Sequence, residues 1–87
     1  MELITDSSFQ KLTKTEQVGM VIRLGKELLT RASEKHSIHL YILFNIFIEV
    51  WYDTKTNSIV NLSTTNKDAI IKDYGEANDI VHYLFQE

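Results

Sequence analysis

The sequence of 87 residues contains no cysteine and no proline, and only three glycines. Without cysteine, the chain forms neither a disulfide nor a thiolate metal site. Without proline, it has no stiff linker and no proline-rich ligand motif. The glycines stand at positions 19, 25 and 75, so the chain has no glycine-rich loop that could cradle a phosphate. Disulfide scaffolds and phosphate-loop proteins are therefore excluded.

Long apolar runs are also missing. The longest, from Ile38 to Tyr52, is broken by Asn45 and Glu49 and is shorter than the roughly 20 residues that a membrane-spanning helix needs. The N-terminus has neither the basic region nor the apolar region of a signal peptide. We therefore expect a cytoplasmic protein without a membrane partner.

Positive charge is scarce relative to negative charge, and the net charge is −3. Because proteins that bind nucleic acids usually carry a basic stripe, this balance argues against a nucleic-acid partner. With 87 residues and a hydrophobic share of 44 %, the chain has room for one small core. We expect a single domain spanning residues 1–87.

The N-terminal part is predicted to be a loosely held arm over residues 1–12 and a long helix over residues 13–35. Thr13 and Glu16 have the spacing of a capping box, which marks a helix start. Gly25 is expected to lie inside the apolar stripe of this helix and to allow close packing. The apolar stripe consists of Val18, Val21, Ile22, Leu28, Leu29 and Ala32. Arg23, Glu27 and Arg31, spaced by four, are expected on its solvated face.

Residues 38–63 are predicted to form a three-stranded antiparallel meander, because they are rich in β-branched and aromatic residues. A two-residue turn at Phe44-Asn45 pairs Leu43 with Ile46, whereas a three-residue loop would regroup the two faces. In either register both faces carry many apolar side chains. The loop over residues 53–57 is expected to be held by hydrogen bonds of the Asx type.

Short helices are expected over residues 66–86. The first begins at an Asn66 cap and ends at Gly75. The second runs from about Asp79 to Phe85, although this stretch is short enough to be a strand instead. The predicted fold is α+β, a long N-terminal helix packed on a three-stranded antiparallel meander, followed by short C-terminal helices, in the order α-β-β-β-α.

Glu49 is the candidate for acid–base chemistry, since a carboxylate flanked by Phe47 and Trp51 could have a raised pKa. We favour a structural role, in which Glu49 protects an edge or pairs with a Lys or Arg. His36 and His39 are three apart, but on a strand this spacing is poor for a metal. No serine is recognisably placed beside a base. We therefore expect no catalytic, cofactor-binding or metal-binding residue.

Four residues on the two central strands are the candidate interface: Tyr41, Phe47, Glu49 and Trp51. One sheet face is expected to pack on the long helix, and the other is covered by the C-terminal helices or by another chain. Aromatic residues on an uncovered face favour protein contacts. The expected function is a non-catalytic protein–protein interaction module that works as a homodimer, with itself or another protein as partner. The alternative is a small-ligand binder or minor enzyme using Tyr41, Glu49 and Trp51.

The run from Phe47 to Asp53, followed by Thr56-Asn57, resembles a segment of small uncharacterised bacterial proteins in which a helix precedes a hairpin. The resemblance covers residues 13–80 and implies a compact α+β domain, without site residues to transfer. The order of a helix, three strands and a helix is also similar to that of double-stranded-RNA-binding domains. Residues 67–73 alternate in charge, so this is the least favoured function.

Overall fold

The computed structural model describes residues 5–75, which form an α+β fold with a four-stranded antiparallel sheet in the order β1-β2-β3-β4. The helices are α1 (Asp6–Gln10), α2 (Lys14–Leu24) and α3 (Lys67–Tyr74), and the strands are β1 (Lys26–Ala32), β2 (His36–Leu43), β3 (Ile46–Asp53) and β4 (Ile59–Thr65). The predicted class is confirmed. The strand count is not, because a fourth strand replaces half of the predicted long helix.

α1 lies in the segment that was predicted to be a loose arm. Thr5 caps it by accepting a hydrogen bond from the Ser8 backbone N–H, and Ser8 returns a bond to the Thr5 backbone. Phe9 is fully buried on the sheet. The Gln17 side chain donates to the Phe9 carbonyl at 2.9 Å, which ties α1 to α2. Residues 6–10 are therefore a helix that Phe9 anchors in the core, and not a loose arm.

α2 begins at the predicted capping box, where Thr13 and Glu16 bond each other's backbone N–H. It ends at Gly25 rather than near residue 35. Gly25 has extended dihedrals (φ −78°, ψ 155°), and its N–H donates to the Val21 carbonyl at 2.8 Å. A Cβ at Gly25 would lie 2.6 Å from the Val21 carbonyl oxygen. The glycine is thus the stop of the helix and not a packing site within it.

β1 accounts for the missing part of the predicted helix. It pairs with β2 and contains a bulge between Glu27 and Leu29. In a regular strand, the adjacent residues Leu28 and Leu29 would point to opposite faces, but the bulge lets both pack on one core cluster. Adjacent apolar residues on one face are typical of a helix, and for this reason the sequence pattern indicated one. The predicted row of Arg23, Glu27 and Arg31 on one helix face does not form, because Glu27 and Arg31 lie on β1. Arg23 and Glu27 are exposed as expected, whereas Arg31 is partly buried beside Glu49.

The β2–β3 hairpin has the two-residue register, in which Leu43 pairs with Ile46 and His39 with Val50. Phe44, and not Asn45, adopts the left-handed conformation of the turn, with φ of 56°. Glycine is usual at such a position because it has no Cβ to strain. The predicted position of the turn is therefore confirmed, with a phenylalanine where a glycine is usual.

The C-terminal half of the described chain follows the prediction closely. Asp53 closes the loop after β3 by accepting from the backbone N–H groups of Lys55 and Thr56. β4 then pairs with β3, and Asn66 caps α3, which ends at Gly75 with φ of 86°. The second predicted helix, from Asp79 to Phe85, lies outside the described residues.

Both faces of the sheet are partly covered by helices. The first face packs on α1 and α2, and its buried core consists of Phe9, Val21, Leu43, Ile46, Ile48, Val50 and Leu62. The second face packs on α3 through a smaller cluster of Leu40, Phe47 and Ile70. Within residues 5–75, no helix has the length and apolar character to cross a membrane.

Candidate functional site

The four residues of the predicted interface lie on opposite faces of the sheet. Tyr41 is half-buried on the α2 face, where it packs against the larger core. Phe47 packs below α3, and Glu49 is only 6 % exposed on that side. Alternation along β3 places Trp51 on the same face as Glu49. The structure thus brings three of the four together on the α3 face, and all four make contacts within the chain.

Glu49 is the centre of a polar cluster under α3. Its Oε2 accepts a hydrogen bond from the Tyr74 hydroxyl at 2.7 Å and one from Arg31 Nε at 3.3 Å. The favoured structural interpretation of Glu49, as the partner of an Arg, agrees with this geometry. A buried carboxylate needs such partners because its desolvation is costly. The cluster fixes the end of α3 on β1 and β3.

Arg31 lies between two aromatic rings in this cluster. Its guanidinium carbon is 5.6 Å from the centre of the Trp51 ring and 5.4 Å from that of Tyr74, and its Nη2 is 3.7 Å from Asp73. Burial alone would lower the pKa of Arg31, but the bonds to Glu49 and Tyr74 outweigh burial and raise it. Burial and Glu49 also raise the pKa of Tyr74. Both groups therefore keep their protons and act as hydrogen-bond donors.

The two strand histidines point to opposite faces of the sheet. The His36 ring packs edge-on against Trp51 at 5.5 Å, on the α3 face. The His39 ring packs edge-on against Tyr52 at 4.8 Å, on the α2 face. They cannot share a metal ion in this arrangement. Over residues 5–75 there is no group of three or more His, Cys, Asp or Glu side chains that could hold one.

A row of polar side chains occupies the part of the α2 face near β1. His39 Nδ1 is 2.9 Å from Glu27 Oε2, and His39 Nε2 is 3.1 Å from Ser37 Oγ. We call Ser37, His39 and Glu27 the polar row. No serine was expected beside a base, but Ser37 lies within hydrogen-bond distance of His39. Ser37 and His39 are two residues apart and therefore share a face of β2. The sequence spacing did not reveal this pair, because the strand was expected to begin at Ile38 and Ser37 was placed outside it.

Glu27 joins the polar row because of the bulge in β1. Thr30 pairs with His39, so regular alternation would put Leu28 beside Tyr41, but the bulge puts Glu27 there instead. Thr30 Oγ1 donates to Glu27 Oε2 at 2.9 Å. Partial burial works to raise the pKa of Glu27, but the hydrogen bonds from His39 and Thr30 and the charge of His39 outweigh it and lower the pKa. Glu27 is therefore ionised at neutral pH.

Tyr41 borders the polar row on its apolar side. Burial and the neighbouring Tyr52 raise the pKa of Tyr41 to about 12. The Tyr41 hydroxyl is therefore protonated at neutral pH. It separates the polar row from the core formed with α2.

The surface between α2 and β4 is the second feature that could bind a partner. A cavity of about 340 Å³ lies there, lined by Lys14, Thr15 and Val18 of α2 and by residues 59–62 of β4. Lys14 Nζ donates to the Leu62 carbonyl at 2.8 Å. Val60 is 51 % exposed beside the cavity, and Ile22, one helical turn after Val18, is 53 % exposed.

Comparison with known proteins gives no relative from which a function could be transferred. The chain matches no protein-family model, no curated protein and no solved structure. The resemblance to small bacterial α+β proteins therefore stays a prediction.

Proposed function

We propose that the protein is an interaction module that works as a homodimer through the surface shared by α2 and β4. The observation that carries this proposal is the exposure of two large apolar side chains at the α2–β4 cavity, Val60 in its lining and Ile22 one helical turn beyond the lining residue Val18. Ile22 on α2 and Val60 on β4 each leave more than half of their surface in water. Apolar side chains gathered around a cavity are typical of contact surfaces.

The two edges of the sheet differ in how they discourage association. β1 has Lys26, Glu27 and Arg31 along its length, and such charges discourage pairing with another strand. β4 has no charged residue, although its pairing with β3 contains a register shift as the pairing of β1 with β2 does. A twofold dimer places one patch against its own copy, so the uncharged strand β4 avoids the like-charge repulsion that β1 would meet.

Lys14 influences how the copies would meet. Its ammonium group already satisfies the Leu62 carbonyl, so this part of the β4 edge is shielded from addition of a further strand. The contact is therefore made mainly by side chains. Val18 and Ile22 of α2 and Val60 of β4 pack against the same residues of the partner.

This surface differs from the interface that the sequence predicted. Phe47 and Glu49 are covered by α3 within the chain, so a partner could reach them only if α3 moved away. The α2–β4 surface needs no such movement. The homodimer stays the expected assembly, with a different surface.

Size-exclusion chromatography with light scattering tests the proposal with a matched pair of variants. Ile22→Glu places a charge in the contact and should give a monomer at micromolar concentration, where the wild type is a dimer. Leu24→Glu is the control, because Leu24 is 58 % exposed on the same helix but points to the other flank. A monomeric wild type, or equal effects of the two variants, would contradict the proposal.

A further inference from the structure

The polar row has the connectivity that a serine nucleophile needs. In such sites, one imidazole nitrogen accepts the serine proton and the other donates to a carboxylate. Here Nε2 of His39 faces Ser37 at 3.1 Å, and Nδ1 faces Glu27 at 2.9 Å. Each ring nitrogen therefore has the partner that its role requires.

The hydrogen bonds of the polar row select one tautomer of His39. An ionised carboxylate only accepts hydrogen bonds, so Glu27 requires the proton of a neutral imidazole to be on Nδ1. Nε2 then carries a lone pair, and the Ser37 hydroxyl must donate to it. This is the form in which a histidine acts as a general base toward a serine.

Neighbouring groups hold the polar row in this geometry. The Tyr52 ring packs against the His39 ring at 4.8 Å with an interplanar angle of 70°. Thr30 fixes the Glu27 carboxylate, and the β1 bulge turns that side chain toward His39. Bulges often re-aim side chains in this way beside active sites.

We propose that Ser37 is the nucleophile of an acyl-transfer site, with His39 as its general base and Glu27 as the positioning residue that orients the imidazole. The substrates are small esters with good leaving groups. This activity goes beyond the proposed dimer and does not depend on it, because the polar row lies on β1 and β2, away from β4.

The reaction proceeds in two balanced steps. Ser37 Oγ attacks the ester carbonyl carbon while its proton moves to His39 Nε2, and the bond to the leaving alcohol breaks as that alcohol takes the proton from Nε2. A water molecule then attacks the acyl-serine, giving its proton to Nε2. The serine oxygen leaves with that proton, which releases the carboxylic acid and restores Ser37.

Exposure of the polar row limits the substrates. The side chain of His39 is 27 % exposed and that of Glu27 is 45 % exposed, so the site is open to water. A buried oxyanion hole speeds acyl transfer, and loss of a single donor typically costs about 10²–10³-fold in rate. A site in contact with water should therefore cleave activated esters such as p-nitrophenyl acetate and leave amides intact.

Covalent labelling with a fluorophosphonate tests the nucleophile in the full chain. Oγ of Ser37 attacks phosphorus, fluoride leaves, and the serine proton passes through Nε2 to solvent. We expect mass spectrometry to find one label per chain, on Ser37. Ser37→Ala should abolish labelling and ester cleavage, whereas Ser63→Ala, a strand serine on the opposite face, should change neither. An unlabelled wild type, or labels spread over several serines, would overturn the proposal.

Two further variants separate the base from the positioning residue. His39→Gln should slow labelling by about 100-fold, the scale of general-base catalysis. Glu27→Gln should slow it less and should also shift the His39 tautomer away from the Nδ1–H form, as read from the ¹⁵N chemical shifts of the imidazole. Circular dichroism checks that each variant is folded. If a folded Glu27→Gln variant retains both the tautomer and the labelling rate, Glu27 has no positioning role.

Discussion

The two faces of the sheet are covered in different ways. On the α2 face, seven buried apolar residues from both helices and three strands form a continuous core. On the α3 face, the buried apolar cluster has three residues, and the Glu49 side chain lies beside it, hydrogen-bonded to Arg31 and Tyr74. The first face is stabilised by apolar burial, whereas the second also depends on providing hydrogen bonds to a buried polar side chain.

Because of this difference, substitutions on the two faces should affect stability in different ways. In an apolar core, the stability lost by truncating a side chain grows with the apolar area removed and with the volume of the cavity left behind. A buried polar cluster fails as a unit, because removal of one partner leaves another without a hydrogen bond. Substitutions on the two faces should therefore differ in size and in how they combine.

The largest effect is expected from Phe9→Ala on the α2 face. Phe9 is fully buried, and truncation of a buried Phe typically costs about 3–5 kcal/mol. Urea unfolding of the variant should show this loss in the free energy of unfolding. Leu24→Ala, at an exposed position, should change stability by less than about 0.5 kcal/mol. Equal stability of the two variants would mean that α1 does not pack on the sheet in solution.

A smaller loss is expected from Glu49→Ala on the α3 face. The change leaves Arg31 and the Tyr74 hydroxyl without their carboxylate, but Arg31 is partly exposed and can turn to water. We expect a loss of about 2 kcal/mol in the free energy of unfolding. Glu49→Gln should lose less, since its amide oxygen can still accept from Tyr74.

A double-mutant cycle checks that the polar cluster acts as a unit. Tyr74→Phe and Glu49→Ala each remove the hydrogen bond between Tyr74 and Glu49, so their combined loss should be less than the sum of the two single losses. Strict additivity would show that Tyr74 and Glu49 do not stabilise each other. The same cycle between Phe9→Ala and Glu49→Gln, on opposite faces, should be additive.

The sequence predicted the parts of the fold in which local and long-range signals agree. The capping box at Thr13, the Asn66 cap and the pairing of Leu43 with Ile46 are all as expected. It failed over residues 25–35, where the bulge makes adjacent leucines share a face and so imitates a helix. No local sequence pattern distinguishes a helix from such a bulged strand, because the bulge depends on pairing with β2.

The candidate sites were less predictable because they combine distant residues. Glu49 was recognised, but its partners Arg31 and Tyr74 lie 18 and 25 positions away. The polar row was missed for the same reason, since Glu27 reaches His39 only once β1 exists as a strand. A site whose members come from several strands becomes visible only after the strand order is known.

The smallest effect expected is the pH dependence of stability that Glu27 of the polar row contributes. The pKa of Glu27 lies below its ordinary value of 4.5 in the folded chain, so its ionised form stabilises the fold. That contribution is complete above about pH 4.5 and is lost as the pH falls through the lowered pKa. Because Glu27 is largely exposed, we expect well under about 1 kcal/mol.

Urea unfolding of the wild type and of Glu27→Gln at pH 7 and pH 3 measures this contribution. The wild type should be slightly more stable than Glu27→Gln at pH 7, and this difference should be smaller at pH 3, below the ordinary pKa of the carboxyl group. A difference of the same size at both pH values would contradict the assignment to the Glu27 carboxylate.

Intermolecular NOEs provide the decisive measurement of whether the chain's own helices cover both faces and leave the α2–β4 surface for the partner. They are recorded on a sample mixed from isotope-labelled and unlabelled wild-type chains, in which only contacts between copies give signals. We predict intermolecular NOEs confined to the surroundings of Val18, Ile22 and Val60. Intermolecular NOEs centred on Phe47 and Trp51, or none at all, would contradict this prediction.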